Sequence, residues 1–150
     1  MKLVIIVRFC FIFILISWFN YCKKNYKPQV NVVLYDKPLS VIRQHIQGKW
    51  QLIYGKGGIA TTTQYYDETF WEFNADSLRI LKHNNAYLDT VIHWDYDLGT
   101  FTNGDSTYIM NFNDKLGYIY NYIVDKIYND TLIVHDYAVD AYFYRLIKSN

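Results

Sequence analysis

Histidine and carboxylate side chains are the residue types in this sequence that could bind a metal or catalyse a reaction. The four histidines, His45, His83, His93 and His135, lie far apart in the chain. His93 and Asp95 share one face of a predicted strand, but nothing nearby completes a metal site. A zinc site requires three or four converging ligands. The sequence therefore predicts no metal site and no cofactor.

A second candidate for chemistry is the acidic group Asp67, Glu68 and Glu72. A glycosidase needs two carboxyl groups at a fixed separation across a sugar cleft, whereas acids in a loop are ordinarily solvated. The chain has no Gly-x-Ser-x-Gly motif, and its glycine-rich segment 55–58 is not followed by Gly-Lys-Ser/Thr. We predict that the protein is not an enzyme. Chemistry added at a loop is a third hypothesis, because a fold alone excludes no activity.

The distribution of cysteine and charge excludes several classes of protein. Both cysteines lie in residues 1–22, so residues 23–150 cannot hold a disulfide framework, a Cys₄ zinc site or a cysteine nucleophile. Residues 23–150 carry 13 basic and 14 acidic side chains. A near-neutral chain without a basic stripe is not expected to bind nucleic acid. This segment is long enough to form one hydrophobic core.

Residues 1–22 form a predicted targeting segment. The uncharged stretch Phe9–Phe19 is eleven residues long, shorter than the roughly 20 residues of a membrane span, and it fits a secretory signal. A leader that ends on a cysteine, here Cys22, resembles a bacterial lipoprotein signal, which implies lipidation and membrane attachment through Cys22. An uncleaved signal anchor is the alternative, because Tyr21 stands where such signals have a small residue. No acidic run follows Lys23 and Lys24, which favours the periplasmic side of the outer membrane over the cell surface.

The segment after the leader is predicted to be a tether followed by a domain. Residues 23–38 are polar, contain both prolines and lack a helical or strand period, which indicates a flexible tether. The folded domain is predicted over residues 39–150. It begins with a short helix, Leu39–Gln47, in which apolar residues recur at spacings of three and four. Ser40 is the expected N-cap and Gly48 the expected stop.

From residue 49 onward the sequence consists of short β-like runs separated by turn residues. Apolar and polar residues alternate in several runs, as in a sheet with one solvated face. No helix interrupts the runs, so they form an antiparallel meander, which can hide its edges by closing into a barrel. The eight predicted strands are Lys49–Gly55, Thr69–Asn74, Leu78–His83, Tyr87–Leu98, Thr107–Phe112, Tyr118–Tyr128, Thr131–Tyr137 and Ala141–Lys148.

The first predicted strand begins with a Gly-x-Trp motif, residues 48–50, directly after the short helix. This motif resembles that of the lipocalins, and the layout of the domain is similar to the lipocalin-like lipoproteins of bacteria such as the Bacteroidetes. The longest connection, Lys56–Glu68, falls where lipocalins have the loop at the barrel mouth. The resemblance implies an eight-stranded up-and-down barrel. It places Gly48, Trp50 and Arg145 at the barrel floor, with Arg145 stacked on the indole of Trp50.

The same resemblance implies a cup that binds or carries a small hydrophobic or aromatic molecule by burial, with phenol hydroxyls fixing its orientation. The alternative is a barrel filled by its own side chains. Such a barrel would be a structural or protein-interaction module of the envelope, for instance an assembly factor or an inhibitor. On the last strand, the sequence leaves open whether Tyr142 and Tyr144 or the residues between them face inward. The predicted ligand-binding residues are Tyr54, Trp71, Phe73, Leu88, Met110, Phe112, Tyr120 and Tyr142.

Overall fold

The structure, a computed structural model, describes residues 29–98 and 105–149. The predicted leader, the lipidation at Cys22 and residues 23–28 of the predicted tether lie outside the described residues. Within those two ranges, no helix is long and apolar enough to cross a membrane. The elements are the helix α1 (Leu39–Ile46) and the strands β1 (Val32–Val33), β2 (Gly48–Gly57), β3 (Thr62–Asn74), β4 (Ser77–Lys82), β5 (Asn85–Val91), β6 (His93–Leu98), β7 (Ser106–Asn113), β8 (Ile119–Tyr128), β9 (Thr131–Asp136) and β10 (Tyr142–Lys148).

The strands form one antiparallel sheet that curls on itself. Nine of them follow the order β5-β4-β3-β2-β10-β9-β8-β7-β6, and β1 pairs with the part of β8 that extends beyond β7. The first long strand, β2, therefore lies beside the last strand, β10. These pairings confirm the predicted all-β class and the antiparallel pairing of consecutive strands.

The number of strands differs from the predicted eight. The predicted run Tyr87–Leu98 is divided at Ile92 into β5, which pairs with β4, and β6, which pairs with β7. The Ile92 amide lies outside both ladders and donates to the carbonyl oxygen of Asp76 at 2.6 Å. The chain therefore passes from one half of the curled sheet to the other at this point. Leu88 and Ile92 are both buried, as the alternation predicts, but beyond the break Tyr96 and Leu98 are 64% and 59% exposed.

Residues 29–38 were predicted to belong to a flexible tether, but in the structure they pack against the sheet. Leu34 is fully buried, and its amide donates to the Asp125 carbonyl oxygen at 2.7 Å. The Thr107 hydroxyl, itself buried, donates to the Tyr35 carbonyl oxygen at 2.6 Å. The apolar residues of β1 and Leu34 gain more from burial than a polar linker would. The folded domain therefore begins before the predicted boundary at residue 39.

The predicted helix is confirmed over α1, but its first turn differs from the prediction. The amides of Val41 and Ile42 donate to the Pro38 carbonyl oxygen, so Pro38 and not Ser40 is the N-cap. A proline carbonyl can accept these bonds, whereas no side chain caps this helix. The apolar face of α1 buries Ile42 and Ile46 against one end of the curled sheet. We call this end the floor.

The structure also corrects the prediction of a mouth loop over Lys56–Glu68. Most of it belongs to β2 and β3, which form a long hairpin with a short turn at residues 58–61. Gly58 and Thr61 have positive φ angles of 73° and 48°, and the Thr61 amide donates to the Gly58 carbonyl oxygen at 2.9 Å. The threonines and tyrosines of this segment favour a strand over an open loop. The mouth is therefore bordered by a projecting hairpin.

Candidate functional site

The interior of the curled sheet contains a cleft of about 190 Å³ at the end opposite α1. We name it the mouth cleft. Its base consists of buried side chains, and its rim consists of Lys82, Tyr87 and Asp114. The turn between β4 and β5 and the turn between β7 and β8 meet here. The lining residues are Leu52, Tyr66, Thr69, Trp71, Ile80, Lys82, Tyr87, Leu88, Phe112, Asp114, Tyr120, Tyr122 and Tyr144.

Aromatic rings form the back wall of the mouth cleft. The Trp71 and Tyr122 ring centroids are 5.5 Å apart at an interplanar angle of 65°, and those of Tyr122 and Tyr144 are 5.6 Å apart at 81°. Such edge-to-face contacts are the favoured geometry for aromatic pairs. Gly55 makes room for this wall, because a Cβ atom there would lie 3.0 Å from the Tyr144 ring. The three rings are thus held in fixed and different orientations.

A second group of rings forms the side of the mouth cleft along β7 and β8. Phe112 stacks on Tyr120 at 5.5 Å and on Tyr122 at 5.6 Å. Tyr120 and Tyr122 are two residues apart on β8, so their side chains project from the same face. Their rings are nearly parallel, at 6°. Tyr122 belongs to both groups and joins them into one continuous aromatic surface.

The hydroxyl groups of the back wall lie near a carboxylate. Tyr122 and Tyr144 are ring neighbours, and both lie close enough to Asp136, at the end of β9, for its charge to act on them. Burial is the main cause of the raised pKa of both phenols, and the nearby charge of Asp136 adds to it. Burial also raises the pKa of Asp136. The Tyr142 amide donates to the same carboxylate at 3.3 Å, which fixes its position.

The rim carries one carboxylate and one ammonium group. Asp114 accepts the amides of Leu116 and Tyr118 at 2.8 and 3.0 Å, and it accepts the Tyr120 hydroxyl at 3.3 Å. The ammonium group of Lys82 lies 3.8 Å from the centroid of the Tyr87 ring. Tyr120, one of the tyrosines that line the mouth cleft, therefore donates its hydroxyl proton to a carboxylate.

Four of the eight predicted ligand-binding residues line the mouth cleft: Trp71, Leu88, Phe112 and Tyr120. Phe73 and Met110 also face inward, but they lie deeper and fill the core at 2% and 0% exposure. Tyr142 lies beyond the mouth cleft on β10, where its hydroxyl group hydrogen-bonds the Thr62 hydroxyl at 2.7 Å. Tyr54 faces the outside of the sheet.

The position of Tyr54 corrects the inward parity predicted for β2. Leu52 pairs with Leu146, but Tyr54 pairs with Arg145, so β2 contains one extra residue, Ile53, relative to β10. A bulge of one residue moves the following side chains to the opposite face. The ring of Tyr54 consequently packs beside Tyr65 on the outer side, at a centroid distance of 6.0 Å.

The floor contains Gly48 and Trp50 as the resemblance implied, but its cation is a different residue. The Lys148 ammonium group lies 4.3 Å from the Trp50 ring and donates to the Gln47 carbonyl oxygen. Arg145 instead lies over Tyr54 on the outer side, at 5.5 Å. The register of β10 explains the correction, because it places Lys148 opposite Trp50. Burial lowers the pKa of Lys148.

Nine of the thirteen lining residues were not among the predicted binding residues, and three tyrosines of the cleft wall are the most informative of these. Tyr122 follows from the spacing of two with Tyr120, which is a usable signal. Tyr144 was left open by the ambiguous parity of the last strand. Tyr66 had no signal, because its inward position depends on an irregularity in β3 near Glu68, which has a positive φ of 40°.

A larger groove of about 550 Å³ lies on the outer side of β2, β9 and β10. Its lining includes Tyr54, Phe143 and Arg145, together with Val139, which is 92% exposed. Exposed and charged side chains form much of the wall of this outer groove. Within residues 29–98 and 105–149, no group of three or more His, Cys, Asp or Glu side chains is arranged to hold a metal ion.

No protein-family model matches the chain, and no curated protein or solved structure matches it.

Proposed function

We propose that this protein is a lipocalin-like protein of the bacterial cell envelope that binds a small aromatic or apolar molecule in the mouth cleft. The observation that carries the proposal is the aromatic lining, since seven of the thirteen lining residues have aromatic rings. A concave apolar site with a few placed polar groups is the usual form of a small-molecule site. The volume of about 190 Å³ lies below the range of about 300–1,000 Å³ for drug-sized ligands. The ligand is therefore small.

The lipocalin-like part of the proposal rests on topology. If β5 and β6 are counted as one strand bent at Ile92, the long strands number eight and follow one another up and down around the sheet. The β2–β10 pairing joins the first strand to the last, as a closed meander requires. The Gly-x-Trp tryptophan lies at the floor under a lysine, as the resemblance implies for a basic residue.

Attachment to the envelope is the second part of the proposal, and it rests on the leader sequence. Lipidation at Cys22 would leave residues 23–28 as a short spacer before the folded domain. The test is metabolic labelling of the full chain with a fatty-acid analogue in a bacterial host. Incorporation that is lost in Cys22→Ala supports the anchor. Equal incorporation in Cys10→Ala is the matched control, and an unlabelled wild-type chain contradicts the proposal.

Ligand binding is tested first by native mass spectrometry of the full chain, purified from the membranes of its host. We expect an added mass that disappears on denaturation. A panel of small aromatic and apolar compounds is then titrated while tryptophan fluorescence is recorded, because Trp71 lies in the cleft wall. Trp71→Leu should weaken binding, whereas Tyr65→Phe on the outer side should not. A protein that carries no added mass and binds no compound of the panel contradicts this function.

The second candidate function, a protein-interaction module, is favoured by the outer groove. Phe143 is 40% exposed and Val139 is 92% exposed, and both line that groove. Exposed apolar side chains next to charged ones are typical of protein contacts. Site-specific cross-linking from position 139 in the host tests this function. A defined partner whose cross-link is lost in Phe143→Asp supports it, and an absence of cross-links contradicts it.

A further inference from the structure

We propose that the mouth cleft selects a small organic ammonium ion, such as a quaternary or alkylated ammonium group, over an uncharged molecule of the same shape. This inference rests on the proposed function and names the chemical class of its ligand. It is carried by the ring orientations, by the two carboxylates behind the rings and by an ammonium group that already lies on one of the rings.

The orientation of the rings is the first step. The faces of aromatic rings carry negative potential, and a cation is stabilised when several faces surround it. The back wall has two near-perpendicular contacts, Trp71 with Tyr122 at 65° and Tyr122 with Tyr144 at 81°. Rings at such angles present surfaces in more than one direction, as a cage for a compact cation requires.

The hydroxyl groups are the second step. Tyr120 donates to Asp114 at 3.3 Å, and Tyr144 lies near the charge of Asp136. A phenol that donates to a carboxylate gains electron density in its ring, which strengthens the attraction of the ring face for a cation. Tyr120 and Tyr144 both line the mouth cleft. The two carboxylates therefore make the lining more favourable for a positive charge than a wall of phenylalanines would be.

The balance of charge is the third step. The mouth cleft has one ammonium group, that of Lys82, against Asp114 at the rim and Asp136 near Tyr144. The Lys82 ammonium group lies 3.8 Å from the centroid of Tyr87. An alkylammonium group thus already makes a cation–π contact at the rim, in the geometry that we infer for the ligand. The surplus of carboxylates disfavours an anionic ligand.

The test compares choline with 3,3-dimethylbutan-1-ol, its uncharged counterpart of nearly identical shape, by titration calorimetry on the full chain. We expect choline to bind about 3- to 30-fold more tightly, which is the range of cation–π contributions converted to affinity. Equal or tighter binding of the alcohol overturns the ammonium inference while leaving the proposed function intact. Binding of neither compound also overturns the inference, and the panel of apolar compounds then decides the proposed function separately.

Variants locate the binding. Tyr120→Phe keeps the ring and removes the hydrogen bond to Asp114, so choline affinity should fall by about 3-fold, at the low end of the cation–π range, with little change for the alcohol. Trp71→Leu should abolish the preference for choline while keeping an apolar wall. Tyr65→Phe, on the outer side, is the control and should leave both affinities unchanged. If circular dichroism shows that Trp71→Leu does not fold, Tyr120→Phe alone decides, and an unchanged preference in that variant overturns the inference.

Discussion

The floor and the mouth of the curled sheet use their interior residues in opposite ways. At the floor, Leu34, Trp50 and the apolar face of α1 are buried, and Trp50 is 2% exposed. The indole of Trp50 is hydrogen-bonded to the Ile46 carbonyl oxygen, so its polar atom is satisfied within the floor. At the mouth, five of the thirteen residues that line the cleft are tyrosines, and the Tyr120 hydroxyl group donates to Asp114. The comparison shows that one curled sheet can be packed at one end and leave a cleft lined by phenol groups at the other.

The largest expected effect is at the floor. Trp50→Ala should lower the free energy of unfolding by about 3–5 kcal/mol, as for other large buried aromatic residues, because it leaves a cavity and removes the hydrogen bond from the indole to the Ile46 carbonyl oxygen at 2.6 Å. Chemical denaturation measures the change. Tyr65→Ala is the control, since Tyr65 is 76% exposed and should change stability by less than about 0.5 kcal/mol. Similar values for both variants would remove the distinction between the two regions.

The next prediction tests where the folded domain begins in the chain. Leu34→Ala should cost about 2–5 kcal/mol in unfolding free energy, because Leu34 is fully buried. Val33→Ala is the neighbouring control, with Val33 at 42% exposure, and should cost less than about 1 kcal/mol. If the denaturation curves of the two variants coincide, residues 29–38 are a tether and not part of the folded domain.

The buried tyrosines at the mouth should lower the stability of the protein at alkaline pH. The pKa values of Tyr122 and Tyr144 are raised by burial, so the unfolded chain releases these protons from roughly pH 10 while the folded chain retains them. Unfolding then releases protons, and stability falls as the pH rises. The slope should approach about 2.7 kcal/mol per pH unit for two tyrosines above their unfolded pKa. Denaturation at increasing pH measures it, and Tyr122→Phe should halve the slope. An alkaline slope that is unaffected by this substitution would contradict the burial of the phenol network.

The smallest effect concerns the cation at the floor. Lys148→Met should cost about 0.5–1.5 kcal/mol, because it removes a cation–π contact and a hydrogen bond at a partly exposed site. Arg145→Met should stay within about 0.5 kcal/mol, since Arg145 lies on the outer side over Tyr54. Thermal unfolding of the pair ranks them. The opposite ranking would indicate that Arg145 is the basic residue at the floor, as the family resemblance implied.

Local patterns in the sequence determined the elements of this protein. Alternation and turn residues located a strand in each predicted run, but they missed β1 and the first half of β3 and did not separate β5 from β6. The spacing of apolar residues located α1. These signals are local because the side-chain period of a strand and the left-handed turns at Asn84, Asn129 and Asp130 depend on neighbouring residues alone. The same alternation identified Trp71, Leu88, Phe112 and Tyr120 as inward-facing residues, and these four line the mouth cleft.

Only the tertiary structure decided which residues share a face beyond each irregularity. The extra residue Ile53 turns Tyr54 outward, and the register of β10 brings Lys148 to Trp50. A one-residue bulge reverses every later side chain, but it leaves no mark in composition or period because the pairing partner lies far away in sequence. The packing of Leu34 and the cleft between Trp71 and Tyr120 likewise depend on strands distant in the chain. Sequence determined the strands, and long-range register determined the site.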